Sequence, residues 1–313
     1  MTRVVYHLET HRNPRQVNRL VTTLRDQAPD AVIVVNHDET APQLDGRTLQ
    51  SLDVVVMSGR GGYSDLSHVR RYLQTVDWLE QQGVDYDWLS NLSGQCYPLR
   101  PLAQVHAELE SSPADAFVET FDTADPDEST WGLRLADTRY GFAHRRLRSL
   151  SHRQMQVLRP VQAVNRVQPW VRVTTATGLT VGRRVPSPFG PQLALRGGSF
   201  FTTLRRAAVD HVRDFAAQRT QVMDHLQRCL APAEVFFQTA LATSESLTVV
   251  NDCRRYFDFS HTRYNRPKTL SSADLPAMVA SGKDFGRKLD LDRDPTLFDL
   301  LDQQLLAAAG QTG

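Results

Sequence analysis

Apolar positions come in short, well-spaced runs along this chain. RVVYHLET (3–10) reads as a buried strand. Pro14 then opens a helix, because the first turn has no use for the missing N–H, and Val17, Leu20, Val21 and Leu24 fall on one face. AVIVVNHDE (31–39) is a second apolar strand that ends in polar residues, and DVVVM (53–57) is a third. GRGGYS (59–64) is a glycine-rich turn whose Ser64 is placed to cap the next helix. That helix sets Leu66, Val69, Leu73 and Val76 at helical spacing and ends near Gly83. YDWLSNLSG (86–94) is a fourth strand running into a loop. Strands and helices in this order predict an α/β fold with a largely parallel sheet. Ligands of such sheets bind beyond the carboxyl ends of the strands. Asn36-His37-Asp38 and Ser93-Gly94-Gln95 are therefore the first places to look.

From about 125 to 190 the pattern weakens. Trp131, Tyr140, Phe142 and Trp170 are scattered among arginines, and Pro186, Pro188, Gly190 and Pro191 mark a loop. Order returns at 195–212, where Gly197-Gly198-Ser199 reads as a turn and the segment after it as a helix. In CLAPAEVFFQTAL (229–241), Pro232 suits a first helical turn and Glu234 falls in that turn. Val235, Phe236, Phe237 and Leu241 give the helix an apolar face to hold it in a core. A strand pair near 247–259, a short helix at 273–281 and a last helix from Pro295 complete the chain.

Composition changes this picture in one respect. Hydrophobic content of 41% and charge of 23% are ordinary for a globular protein of 313 residues. No apolar run approaches the ~18 residues of a membrane span, and the start is too short in apolar residues for a signal peptide. Cys96, Cys229 and Cys253 show no metal spacing, so reduced thiols in a cytoplasmic protein are expected. The net charge of +1, however, hides an asymmetry. The interval 138–209 has no acidic residue and 13 arginines, which leaves 23 basic against 35 acidic residues elsewhere. Such a segment either meets something anionic or pairs with acidic neighbours in the fold. Only three of the 36 basic residues are lysine, namely Lys268, Lys283 and Lys288, all in one C-terminal stretch.

Several chemistries are excluded. HLETHRNP stands where a dinucleotide fold needs G-x-G-x-x-G, and neither a Walker loop nor a G-x-S-x-G elbow occurs. The Asp-x-Asp sequences Asp85-Tyr86-Asp87, Asp290-Leu291-Asp292 and Asp292-Arg293-Asp294 sit at a strand start or before the last helix, where turn roles are expected rather than metal binding. Without a metal, a bound diphosphate needs cationic side chains, and Arg255 in CRRYFDF and Lys288 in FGRKLD are the best placed. Taken locally, Glu234 has two readings: a general base held at a helix start, or a carboxylate that only complements the helix dipole.

Several stretches in order resemble the core-2/I-branching β-1,6-N-acetylglucosaminyltransferase family, which includes the peptide O-xylosyltransferases. VVYHLETHRNPRQVNRLVTTL is similar to its opening strand and helix, IVVNHDE to the segment that follows, and SNLSGQCYPLRP to its LSGxDYPL loop. GGSFFTTLRRAAVDHV, CLAPAEVFFQTAL, RRYFDF with RPKTLSSADL, and DFGRKLDLDRD are similar to the later blocks, whereas about 122–192 is not covered. The resemblance implies a GT-A-like single domain over 1–313, with a nucleotide-binding half (1–121), a variable basic insertion (122–192) and a catalytic and acceptor half (193–313). It implies inverting transfer from a UDP-sugar, GlcNAc or xylose, with Glu234 as base and with no metal or other cofactor. It also implies Arg255 and Lys288 on the diphosphate and Asp38 near the uridine. Ser93, Gly94 and Arg287 are further expected donor contacts, and Ser199, Arg145 and Arg146 expected acceptor contacts. Cys96 stands where the family loop has Asp. The missing anchor and Golgi cysteine set point to a bacterial-type relative, cytoplasmic or peripheral at a membrane surface, with an acceptor that is an anionic glycan, lipid or small molecule. A second reading is an anionic-polymer or nucleic-acid binder built on 138–209, with nucleic acid the less expected partner. A third is a protein that binds a nucleotide sugar without transferring it.

Overall fold

The computed structural model describes residues 2–62, 64–131, 133–148, 151–175, 178–260 and 267–309. Strand β1 (Val4–Thr10) is buried at every position, as an uninterrupted apolar run covered on both faces should be. It pairs in parallel with β2 (Val32–Asp38) and β4 (Trp88–Ser93), and β2 pairs in parallel with β3 (Val54–Gly59). β5 (Ala116–Val118), β6 (Thr202–Arg205) and β7 (Val249–Asn251) complete a seven-stranded sheet of order β7-β5-β6-β4-β1-β2-β3. Only β6 is antiparallel to its neighbours. A mixed sheet flanked by helices is the α/β architecture expected.

Two apolar layers hold the helices to it. On one face α1 (Pro14–Gln27) buries Val17, Leu20, Val21 and Leu24 against Tyr6, Leu8 and Ile33. On the other, α2 (Ser67–Gln81) brings Val69, Tyr72 and Val76 against Val5 and Val34. α3 (Leu102–Ser111) joins the α1 layer. α4 (Leu133–Tyr140) opens the basic insertion. α5 (Arg206–Gln218) and α6 (Ala233–Leu241) join the α2 layer, and α7 (Pro295–Ala309) packs Leu297, Phe298 and Leu301 with α1. Each fully buried Phe or Leu here is worth roughly 1.5–3 kcal/mol of transfer free energy. No helix among the described residues is long and apolar enough to cross a membrane.

Three local expectations need correction. Ser64 does not cap α2: Leu66 occupies the cap with no side-chain bond, and Ser64 adopts a left-handed φ of 62°. The segment after Gly197-Gly198-Ser199 is first a strand, β6, and only then a helix, because Thr202–Arg205 inserts between β4 and β5. The two strands near 247–259 do not pair with each other. Val249–Asn251 joins the main sheet, whereas Arg255–Phe257 pairs with Phe285–Arg287, which in turn pairs with Tyr97–Pro98.

The insertion builds its own three-stranded sheet from Phe142–Arg148, Leu179–Arg184 and Val171–Thr174. Among the described residues, arginines of 138–209 reach carboxylates outside that interval: Arg139 to Glu234, Arg172 and Arg184 to Asp137, Arg196 to Asp122 and Glu128, Arg205 to Asp115, and Arg206 to Asp210. Part of the basic excess is therefore spent within the fold.

Candidate active site

Helix α6 is set rigidly before Glu234 is reached. Ala231 holds a left-handed φ of 52°, which costs a non-glycine residue on the order of 1 kcal/mol. Its N–H donates to the carbonyl of Ser64 and its own carbonyl accepts from the Tyr140 hydroxyl, each at 3.0 Å. Pro232 is the N-cap, one position earlier than the first turn expected for it, and Glu234 lies in the first turn. Behind it Val235, Phe236 and Phe237 are completely buried.

The Glu234 side chain remains 38% exposed, and Arg139 Nη1 lies 2.6 Å from its Oε2. Among the described residues no protein group bonds Oε1. Arg139 stacks over Trp131 at 4.9 Å, so the guanidinium is braced as well as paired. Burial opposes its charge, but the proximity of Glu234 outweighs this and raises its pKa further above the usual arginine value. Arg139 belongs to the basic insertion, and nothing in the spacing of that segment marks this arginine among its neighbours. Glu119 is the second carboxylate of this region; burial first, then the charges of Glu234 and Asp252, raise its pKa above the ordinary range.

A short strap, Gly198–Phe201, links α6 to the sheet. The Gly198 N–H donates to the Glu234 carbonyl at 2.9 Å. A Cβ at Gly198 would come within 1.8 Å of the Glu119 carbonyl, so no other residue fits. Ser199 lies in the strap: its carbonyl accepts from Gln238 Nε2 at 2.5 Å and its Oγ from the Phe201 N–H at 3.3 Å. The Phe200 carbonyl accepts from Asn91 Nδ2 of β4 at 2.9 Å, and the Phe200 ring packs on His68. The Phe201 ring lies under the Arg287 guanidinium, 4.7 Å from its centroid. Three residue steps separate Gly198 from Phe201, at most about 11 Å of chain. The main-chain carbonyl of Glu234 and the cation of Arg287 thus flank one short segment.

The carboxyl ends of β1, β2 and β4 meet beside this strap. Arg287 Nη1 donates to Ser93 Oγ at 3.1 Å and has no carboxylate partner among the described residues. Burial, partly offset by the neighbourhood of Cys96 and reinforced by Arg12, lowers its pKa from the usual arginine value. Gly94 is fixed by its N–H on the Glu9 carbonyl and its carbonyl on Gln16 Nε2, at 3.0 and 2.7 Å. The buried Cys96 thiol accepts from the Ser93 N–H at 3.3 Å and so closes the loop in which the family has Asp. Asp38 ends β2, where Oδ1 accepts from the Thr40 N–H and hydroxyl at 2.9 and 2.8 Å. Burial would raise its pKa, but these bonds, one from Gly61 and the charge of Arg71 hold it down. Lys288 is half-buried, and its carbonyl accepts from Leu270 N–H at 2.8 Å.

Arg255 is held by the core and also lines a cavity. Its side chain is turned into the protein, 3% exposed, and donates to Thr203 Oγ1, Ser90 Oγ and the carbonyls of Cys253, Asn91 and Thr202. It braces β4 against β6 with both terminal nitrogens engaged. Arg145 and Arg146 lie on the exposed end of the three-stranded sheet, and no described contact ties either to Glu234 or Ser199.

Sequence reasoning also missed a buried ionic cluster at the end of β1. Glu9, 5% exposed, is bonded by His68 Nδ1, with His7 Nε2 at 3.7 Å and Arg71 Nη1 at 4.0 Å. Burial would raise Glu9, but the bond from His68 and the nearness of His7 outweigh it and bring it down to about 2. Burial likewise opposes charge on His68, yet Glu9 raises it above the ordinary imidazole value. The signal lay in HLETH and LSHVRR, which carry polar residues within apolar elements. A cavity of about 390 Å³ has Glu119, Cys253, Arg255, Tyr256, Phe257 and Lys283 among its lining residues.

The Asp-x-Asp carboxylates are occupied in turns and caps: Asp290 accepts from Arg12, Asp292 from Asn13, and Asp294 from Ser272 and the Leu297 N–H. Among the described residues no three His, Cys, Asp or Glu side chains cluster in a way that would hold a metal ion.

Comparison with known proteins gives one decisive match. No curated protein matches the chain. Among solved structures, a cytidylyltransferase from Leptospira borgpetersenii serovar Hardjo-bovis (strain JB197) aligns at 16% identity and a TM-score of 0.26, over 38% of this chain and 54% of that one. So partial an overlap carries no argument here. A sequence model of the core-2/I-branching enzymes, by contrast, matches residues 6–279, the basic insertion included. The chain belongs to the core-2/I-branching enzyme family, a family of glycosyltransferases.

Proposed function

We propose that this protein is an inverting, metal-independent glycosyltransferase that moves a sugar, GlcNAc or xylose, from a UDP-sugar to an acceptor hydroxyl. The observation that carries the reading is the strap Gly198–Phe201, whose first N–H bonds the backbone carbonyl of Glu234, the residue with the half-exposed carboxylate, and whose last ring lies under the Arg287 guanidinium. In this mechanism Glu234 Oε1 takes the acceptor proton as the hydroxyl oxygen attacks the anomeric carbon. The bond from that carbon to the phosphate oxygen breaks, and UDP leaves with the electron pair. Arg287 and Lys288 neutralise the charge that gathers on the diphosphate. Arg139 is a positioning residue that fixes the Glu234 carboxylate through Oε2. Arg255 acts one layer down, holding β4 and β6 so that Ser93 and the strap keep their places. Asp38 and Gly94 sit where the uridine would lie, and Ser199 lies on the acceptor side with the cavity beside Glu119.

The reading is tested by incubating the enzyme with UDP-GlcNAc, UDP-xylose and UDP-glucose in excess EDTA, with mixed acceptors, and measuring released UDP and product anomeric configuration. UDP release in EDTA with an inverted product is expected. Turnover that appears only with added divalent metal, or a product of retained configuration, would contradict the mechanism.

A further inference from the structure

One segment of the insertion is folded inside out. Arg159–Arg166 is a 3-10 helix, in which every third residue falls on the same side. Its polar side chains face the protein. Gln162 Nε2 bonds Thr175 Oγ1 at 2.7 Å, Asn165 exchanges two bonds of 2.8 Å with the backbone of Val173, and Gln168 accepts from the Trp170 and Val171 N–H groups. Its apolar side chains face outward. Val161, Val164 and Val167, at the same threefold spacing, are 48%, 38% and 80% exposed, and Trp170 is 68% exposed. Val157, one turn earlier, is 76% exposed. A water-facing helix carries the opposite arrangement. An exposed apolar patch of this kind marks something that covers it.

The charge around the stripe selects the occupant. The interval 138–209 has no acidic residue, and Arg145, Arg153 and Arg166 stand exposed near the valines in sequence. Apolar side chains with a tryptophan, flanked in sequence by exposed Arg153 and Arg166 and with the neighbouring Asp137 carboxylate already paired to Arg172 and Arg184, match the boundary of an anionic bilayer: valines enter the acyl region, Trp170 lies at headgroup level and arginines meet lipid phosphates. A second copy of this chain would bring the same positive charge to the contact and be repelled by it. We infer that the Val157–Trp170 segment docks this protein onto anionic lipid surfaces, independently of the transfer reaction.

The test is co-sedimentation of the full chain with vesicles of phosphatidylglycerol and phosphatidylcholine against phosphatidylcholine alone. Partition onto anionic vesicles is expected, with at least about a tenfold loss when salt is raised from roughly 0.1 M to 0.5 M. The triple variant Val161→Ser, Val164→Ser, Val167→Ser changes only exposed side chains and is expected to lose binding while keeping its thermal transition. Arg153→Glu with Arg166→Glu is expected to lower the partition by an order of magnitude. Tryptophan emission should shift to the blue on anionic vesicles, and the shift should vanish in Trp170→Phe. Wild-type protein left in the supernatant, or a triple variant that partitions as well as wild type, would overturn the inference. So would self-association through the stripe, seen as a concentration-dependent dimer that the triple variant abolishes, without vesicle binding.

Discussion

Arg255 and Arg287 lie in one strand pair, and both have aromatic neighbours, yet their hydrogen bonding differs. Phe257 faces Arg287 across that pair while Arg255 faces Phe285. Arg255 donates five hydrogen bonds inward; Arg287 donates one and is left without a carboxylate partner among the described residues. Arg255→Ala is expected to lower stability by roughly 2–4 kcal/mol, because it strands buried carbonyl and hydroxyl groups. Arg287→Ala is expected to leave the unfolding midpoint nearly unchanged and to weaken UDP binding at least about tenfold, by calorimetry. The reverse pattern would exchange the two roles. CRRYFDF shows an arginine among aromatics, but which way it turns depends on β4 and β6 passing beneath it, and no local pattern carries that. That Glu234 falls in the first turn of a buried helix was legible because proline, acid and an apolar face fall together. Its partner Arg139 was not, since it is one arginine among many and lies 95 residues away.

Glu9 and His68 allow a pH argument at the same scale. The Glu9 carboxyl is lowered to about 2 from 4.5, so its contribution is present above about pH 4.5 and is lost as pH falls through about 2. His68 is raised from 6.5, so its contribution is full below that value and is lost as pH rises through the raised one. The pair therefore stabilises most between about pH 4.5 and 6.5. Thermal melts of wild type and Glu9→Gln across pH should show the largest gap in that window, narrowing on the alkaline side. A gap independent of pH would mean that the two side chains are not charged together.

Among the elements, the strap and β6 decide how the site is assembled. FFTTLRRAAV reads as one rising helix, and its first part becomes a strand only because a gap between β4 and β5 accepts it. Such a strand is fixed by its neighbours and not by its own pattern. The parallel strands β1 to β4 were legible because each is a continuous apolar run bounded by turns. Gly198 is the weak point of the strap: a Cβ there meets the Glu119 carbonyl, a backbone atom that cannot step aside. Gly198→Ala is expected to cost about 1–3 kcal/mol by overpacking and to lower kcat more than it raises donor KM, since the strap carries the backbone bond to Glu234. An alanine variant with wild-type melting and turnover would show that the close approach does not matter.

At the scale of the whole molecule, the basic insertion is tied to the helix that carries Glu234. Helix α4 sends Arg139 to Glu234 and the Tyr140 hydroxyl to the Ala231 carbonyl, so the basic segment braces the start of α6. The central claim is that one carboxylate performs proton transfer in a cleft that binds donor by other groups. The most direct measurement is Glu234→Gln, an isosteric change, assayed for UDP-sugar turnover and, by calorimetry, for UDP affinity. The account predicts turnover reduced by about 10²–10⁴-fold with UDP affinity within a factor of about two of wild type. Undiminished turnover in this variant would contradict it.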